Sequence, residues 1–158
     1  MRERLHTATA GGLIARRQRV AMTPLRAHVQ LTKETGGQLA EGDGLRKEPV
    51  LAVEAVGQAC VVRLGGELDL YNAPQVREAL AEATADSPQR VVVDLSEVEF
   101  IDSTALGVLI EARANLNNRR AFLLAAPGLE TQRALEISGL DRHFTVHASV
   151  SEALLAKV

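Results

Sequence analysis

The chain has few of the residues that mark several specialised protein classes. Of its 158 residues only one, Cys60, is cysteine, none is tryptophan, and aromatic residues make up 3% of the sequence. A single cysteine excludes an intrachain disulfide and a cysteine-rich metal site. Because aromatic side chains are scarce, any core must be built from Leu, Val, Ile and Ala. A hydrophobic content of 46% is enough to supply such a core. We predict that Cys60 is one of its residues.

Long apolar runs, an excess of charge and the common catalytic motifs are lacking as well. No run approaches the roughly 20 residues that a membrane-spanning helix needs, and no secretory signal opens the chain, so we expect a cytoplasmic protein without membrane contact. A net charge of −2 does not support direct nucleic-acid binding. Phosphate-binding loops, dinucleotide fingerprints and nucleophile elbows are absent, which predicts no cofactor and no enzymatic activity. The four histidines form no ligand grouping, so no metal site is expected.

Charge divides the chain into two regions. Residues 1–48 carry nine basic and five acidic residues, a net of +4, whereas residues 49–158 carry nine and fifteen, a net of −6. The first region has no sustained apolar period, and we predict a flexible, basic N-terminal extension with at most a weak strand at 27–32. We favour a solvated tail, or sequence upstream of a true start at Met22, over a basic arm that docks on an acidic partner or a nucleic acid.

From Pro49 onward, apolar runs alternate with helical patterns. The order β-β-α-β-α-β-α-β-α predicts one α/β domain over residues 49–158, with a mixed, mainly parallel sheet and about four helices. Gly57-Gln58 predicts a type II′ hairpin turn between the first two strands, and Asn72 with Gln75 predicts a capping box at the first helix. We place strands at 50–56, 59–64, 90–95, 121–125 and 144–147, and helices from Asn72 to about 84, and at 103–117, 127–139 and 151–157.

The stretch from Val91 to Ile110 is the most informative part of the chain. A buried strand is followed by a short acidic loop, then by Asp102-Ser103-Thr104 and a helix, at the strand end where functional groups collect in α/β sheets. On a helical wheel two faces separate. The apolar stripe is Ala105, Leu109, Ala112 and Leu116, and the opposite face is Ser103, Gly107, Glu111 and Ala114. The small Gly107 would let the backbone of another protein approach closely.

Three short motifs, in order, resemble the STAS domain of anti-sigma factor antagonists. They are Gly66-Glu67-Leu68-Asp69, then Asp102-Ser103-Thr104-Ala105-Leu106-Gly107, then Ser138-Gly139-Leu140. Each is weak alone, but their register with the predicted elements over about residues 50–158 makes the resemblance specific. The family usually has glycine where this chain has Ala105. Alanine favours helix more than glycine does, and its methyl group slightly narrows the space through which a partner kinase would approach.

The resemblance implies a phosphorylation switch. In that family the first serine after the aspartate is phosphorylated by a partner kinase that is itself the anti-sigma factor, so Ser103 is the expected acceptor. The unphosphorylated form would bind this serine-kinase anti-sigma factor and free a sigma factor. Phosphorylation of Ser103 would end binding to the anti-sigma factor, and a phosphatase would remove the phosphate. The predicted partner-binding residues are Asp69, Asp102, Ser103, Thr104, Gly107 and Glu111.

Simpler roles stay open for the same residues. Ser103 and Asp102 are both good helix caps, and Asp102 could instead orient the Ser103 hydroxyl or bind the kinase. Asp69 could be a turn residue or part of the partner surface, and Thr104 is a less favoured second phosphosite. At the level of function, the rival is a STAS scaffold or an accessory subunit of a sensory complex or transporter, which would not need a phosphorylatable residue at position 103.

Overall fold

The computed structural model describes residues 47–158, and the predicted strand at 27–32 and the start at Met22 lie outside these residues. The strands and helices follow the predicted order, with two added 3-10 turns at Arg119–Ala121 and Leu140–Arg142. The strands are β1 (Val50–Val56), β2 (Ala59–Leu68), β3 (Arg90–Ile101), β4 (Phe122–Ala125) and β5 (Thr145–His147). The helices are α1 (Ala73–Ala85), α2 (Ser103–Asn115), α3 (Leu129–Ile137) and α4 (Val150–Leu155).

The five strands form one mixed sheet in the order β1-β2-β3-β4-β5. β1 and β2 are antiparallel, and the remaining neighbours are parallel, as the hairpin followed by strand-helix-strand units predicts. The hairpin closes at Gly57, whose φ of 61° is the positive value that a type II′ turn requires at its first central residue. The predicted fold class is therefore confirmed.

β2 and β3 are longer than predicted. The stretch expected to be a short acidic loop after Leu95 continues β3 to Ile101, and Gly66, Glu67 and Leu68 lie within β2 instead of after it. The pairing of the two strands shifts register between Arg63 and Gly65 and again between Gly66 and Glu67. Such irregularities break the two-residue alternation by which a strand is recognised in sequence.

Several helix boundaries also differ from prediction. α2 ends at Asn115, and α4 covers 150–155 instead of 151–157. α3 begins at Leu129, two residues after Pro127, because the backbone of Gly128 is extended and Gly128 caps the helix from outside. α3 ends at Ile137 because Gly139 adopts a left-handed conformation two residues later.

The start of α1 is placed correctly but stabilised differently. Asn72 precedes the helix and Pro74 lies in its first turn, yet the Asn72 side chain makes no hydrogen bond to the helix, so the predicted capping box with Gln75 is wrong. Its side chain turns back to the preceding loop, where Oδ1 accepts from the Asp69 amide at 2.9 Å and Nδ2 donates to the Glu67 carbonyl. The side chain of Asn72 and its backbone amide, which a capping box would have used, thus form hydrogen bonds with residues 67–69 instead.

Two aliphatic clusters cover the two faces of the sheet. The larger packs α1, α2 and α3 against one face, where Val62, Val93 and Leu124 are buried. On the other face Val61, Val92 and Leu123 pack against Ala153 of α4. Val91, Val92 and Val93 are all fully buried, as their β-branched run predicts for a strand covered on both sides. Helices on both faces leave the ends of the strands exposed, and these ends carry the candidate site.

Candidate functional site

The candidate site is built around Asp102, which joins the end of β3 to the start of α2. Its Oδ1 accepts a hydrogen bond from the Ala105 amide at 2.9 Å, which caps the helix. Its Oδ2 accepts from the Leu70 amide at 3.1 Å, and its own amide donates to the Leu68 carbonyl at 3.0 Å. Asp102 therefore fixes the position of the helix start relative to the loop that follows β2.

Ser103 is the first residue of α2 and is exposed, whereas its neighbour Thr104 is half-buried. Because Asp102 supplies the cap, Ser103 is not the capping residue of this helix. Backbone amides of a first helical turn lack helical acceptors, and the helix dipole is positive at this end. Ser103 thus offers its hydroxyl to solvent at a position that favours a negative charge.

Asp69 organises the adjacent loop. Its Oδ1 accepts from the Tyr71 amide at 2.9 Å and from the Asn72 amide at 3.2 Å, and its carbonyl accepts from the Ala73 amide at 2.9 Å. This arrangement stabilises the turn that leads into α1. Through Asp102 and Leu70, the loop of Asp69 lies beside the start of α2, so the structure brings these two predicted partner-binding residues together.

The outer face of α2 continues the site away from Ser103. Ser103, Gly107, Glu111 and Ala114 are all exposed, while the predicted apolar stripe on the opposite face is buried. A Cβ atom added to Gly107 would meet no atom within 4 Å, so this position is a bare spot on the surface. Glu111 is held by Arg77 of α1, whose Nε lies 2.9 Å from its Oε2.

Large exposed apolar side chains in the loop after β2 and on α2 were not predicted as site residues. Leu70 and Tyr71 are 62% and 76% exposed, and Ile110, one turn beyond Gly107 in α2, is 42% exposed. The dipeptide Leu-Tyr directly after the Gly-Glu-Leu-Asp motif was an available signal, since two large apolar residues rarely occupy a turn without being buried or bound. Together with Gly107 they form what we call the Ser103 face.

The other candidate residues have structural surroundings. Cys60 is half-buried against the larger core cluster, and burial raises the pKa of its thiol from 9.0 to about 11, so the unreactive thiol form predominates at neutral pH. Between residues 47 and 158 there is no group of three or more His, Cys, Asp or Glu side chains that could hold a metal ion. In the same range no helix is long and apolar enough to cross a membrane.

Comparison with known families decides the identity of the fold. A model of the STAS domain matches residues 51–153, which include all five strands except the first residue of β1, and all of the candidate site. The chain belongs to the STAS domain family. The three motifs that suggested this family lie in β2 and the following loop, at the start of α2, and at the end of α3.

Among STAS proteins the chain is similar to regulators of sigma factors. It is 36% identical over 94 residues to the anti-sigma-F factor antagonist RsfB of Mycobacterium tuberculosis, covering 60% of this chain and 77% of that protein. It is 33% identical over 81 residues to the anti-sigma-B factor antagonist of Staphylococcus aureus, covering 50% and 74%. The crystal structure of an anti-sigma factor antagonist from Mycobacterium paratuberculosis superimposes with a TM-score of 0.62 at 35% identity, covering 66% and 89%.

Proposed function

We propose that this STAS domain is an anti-sigma factor antagonist whose switch is phosphorylation of Ser103. The unmodified protein binds an anti-sigma factor of the serine-kinase type and so frees a sigma factor. The phosphorylated protein no longer binds, and a phosphatase restores the first state. The observation that carries the proposal is the exposed Ser103 hydroxyl at the first residue of α2, in a helix that Asp102 already caps. The names of the relatives support the class of partner.

The position of Ser103 suits a reversible negative charge. Phosphorylation adds about −1.5 to −2 charges and three acceptor oxygens. The positive end of the helix dipole and the amides of the first turn stabilise that charge, while the nearby Asp102 carboxylate opposes it. Since Ser103 is exposed and belongs to neither core cluster, we expect the phosphorylated domain to stay folded. The switch then acts on the interface with the partner.

The Ser103 face has the composition of a protein interface. Leu70 and Tyr71 provide apolar area that is held in place by the hydrogen bonds of Asp69 and Asp102. Exposed aromatic and aliphatic anchors on a rigid loop contribute most to binding when a partner desolvates them. A phosphate at Ser103 would have to be desolvated in the same interface. If this costs about 3 kcal/mol, affinity falls about 150-fold.

No enzymatic step is assigned to the protein. In this proposal the partner kinase catalyses the transfer of a phosphoryl group from ATP to the Ser103 oxygen, which loses its proton as ADP leaves. The fifteen acidic and nine basic residues of 49–158 argue against direct contact with nucleic acid.

The test uses Ser103→Ala, Ser103→Asp and the neighbouring control Thr104→Ala, each titrated against a candidate kinase-type anti-sigma factor. We expect Ser103→Ala to bind like the wild type and Ser103→Asp to bind at least tenfold more weakly, while Thr104→Ala serves as the control for the site of phosphorylation. With ATP present, the wild type and Thr104→Ala should be phosphorylated at Ser103 by mass spectrometry, and Ser103→Ala should remain bound. Equal binding by the Ala and Asp variants, or phosphate at another residue, would contradict the proposal.

A further inference from the structure

A group of arginines lies at the end of the sheet opposite to Ser103. β4 begins there directly after the first 3-10 turn, β5 begins there shortly after the second, and α2 ends there. Arg119 and Arg120 belong to the first turn, Arg142 to the second, and His143 follows it, and all four side chains are exposed. Arg113, in the last turn of α2, completes the group, which we call the basic edge.

Contacts between aromatic rings hold these segments together. The guanidinium of Arg113 lies 5.9 Å from the centroid of the Phe144 ring. The Phe144 ring in turn lies 5.9 Å from the ring of Phe122, which directly follows the turn of Arg119 and Arg120. Both phenylalanines are buried. The segments that carry the arginines are therefore joined to one another through the buried rings of Phe122 and Phe144.

The arginines of the basic edge differ from the other arginines of the described residues. The others all have a partner within the domain: Arg63 pairs with Asp94, Arg77 with Glu111, Arg133 with Glu130, and Arg90 donates to the carbonyls of Ala153 and Leu154. Between residues 47 and 158, no carboxylate forms an ion pair with any arginine of the basic edge. The two segments 112–122 and 138–145 contain four arginines and one acid, Asp141, in a domain of net charge −6.

We propose that the basic edge binds an acidic segment of another protein, at a surface separate from the Ser103 face. Within residues 47–158 these four guanidinium groups have no carboxylate partner, and carboxylates from another protein would complement their charge. The planar guanidinium group matches a carboxylate in a two-point contact, so several arginines together recognise closely spaced Asp and Glu residues. Because the two surfaces lie at opposite ends of the strands, the domain could hold two proteins at once.

Other occupants fit the charges less well. The N-terminal extension is itself basic, with a net charge of +4 over residues 1–48. A nucleic-acid duplex or an anionic bilayer presents an extended negative surface that would also meet the excess carboxylates of the domain. The acidic end of a second copy would attach head to tail, which leaves an open chain of molecules and covers Ser103.

The test titrates the full chain with a synthetic peptide rich in Asp and Glu, followed by NMR shifts of the backbone amides. We expect shifts at Arg119, Arg120, Arg142 and His143, and binding that weakens as salt is raised. The variant R119Q/R120Q should bind about three- to tenfold more weakly, as the loss of two exposed ion pairs predicts. The control K47Q/R133Q removes the same charge elsewhere and should change affinity less than twofold.

Several results would overturn this proposal, and none of them depends on the phosphorylation of Ser103. They are equal weakening in both double variants, shifts confined to the Ser103 face, and tighter binding of a DNA duplex or of anionic vesicles than of the peptide. Self-association that is lost in R119Q/R120Q would also overturn it, in favour of a contact between copies.

Discussion

Asp102 uses both carboxylate oxygens on the backbone of the protein. One oxygen caps α2 through the Ala105 amide, and the other holds the Leu70 amide in the loop after β2. The sequence left open whether Asp102 caps the helix, orients the Ser103 hydroxyl or binds the kinase. Its hydrogen bonds show the capping role. Its contribution to partner binding remains a prediction, and on this geometry it would be indirect, through the position of Leu70 and Ser103.

This double contact predicts the stability of two variants. Asp102→Ala removes both acceptors and should lower the free energy of unfolding by about 1–2 kcal/mol, the usual cost of a lost helix cap. Asp102→Asn keeps one acceptor oxygen for the Ala105 amide and should lose about 0.5 kcal/mol or less. Urea unfolding followed by circular dichroism measures both. Equal stability of the wild type and Asp102→Ala would show that the cap contributes nothing.

Helix α2 contains a position at which stability and the proposed binding oppose each other. Gly107 lies in the first part of the helix, on the exposed face, where a side chain would meet open space. Glycine in an exposed helix interior costs about 1 kcal/mol relative to alanine. The fold does not require glycine at this point, which supports the view that the bare backbone serves the approach of a partner.

Substitution of Gly107 separates the two effects. Gly107→Ala and Gly107→Leu should each raise the free energy of unfolding by about 0.5–1 kcal/mol, because both residues favour helix. Gly107→Leu should also weaken binding to the anti-sigma factor by about tenfold or more, since its side chain fills the bare spot, and Gly107→Ala should weaken it less. Thermal unfolding and titration calorimetry provide the two readouts. Tight binding by a stabilised Gly107→Leu would place the interface elsewhere.

The whole molecule separates its charges along the strands. Carboxylates of Glu67, Asp69 and Asp102 lie near the Ser103 face, and the basic edge lies at the far end. Because the strands are parallel from β2 to β5, each end of the sheet collects one set of connecting loops. The two ends can therefore carry different surfaces on one core.

The core clusters of the described residues suggest a truncation experiment. Within residues 47–158, both clusters are formed by side chains between Val50 and Ala156. We propose that residues 49–158 are the folding unit and that the extension before it is dispensable for stability. A chain that starts at Lys47, which retains the contact between Lys47 and Glu99, should unfold within about 0.5 kcal/mol of the full chain, because surface segments rarely contribute more. A clear loss of stability would assign the first 46 residues a part in the fold.

The sequence alone determined the class of fold, because each element has a strong local pattern. Val91 to Val93 is typical of a strand covered on both faces, Gly57-Gln58 is typical of a tight turn, and the stripe of Ala105, Leu109 and Ala112 is typical of the inner face of a helix. Local signals also located Ser103 at a helix start. These features depend on residues close together in the chain, so their order in the sequence is sufficient to identify them.

Only the tertiary structure decided what depends on pairing between distant residues. The extension of β3 through its polar end arises from its bulged pairing with β2, and Asn72 turns from its helix because the loop at 67–69 lies within reach. Likewise Asp102 meets Leu70, and Arg113 meets Phe144, across about 30 residues of sequence in each case. These contacts join segments that are distant in sequence and that come together only when the whole sheet is packed. For this reason the sequence located Ser103, while the surfaces at both ends of the sheet became visible only in the folded chain.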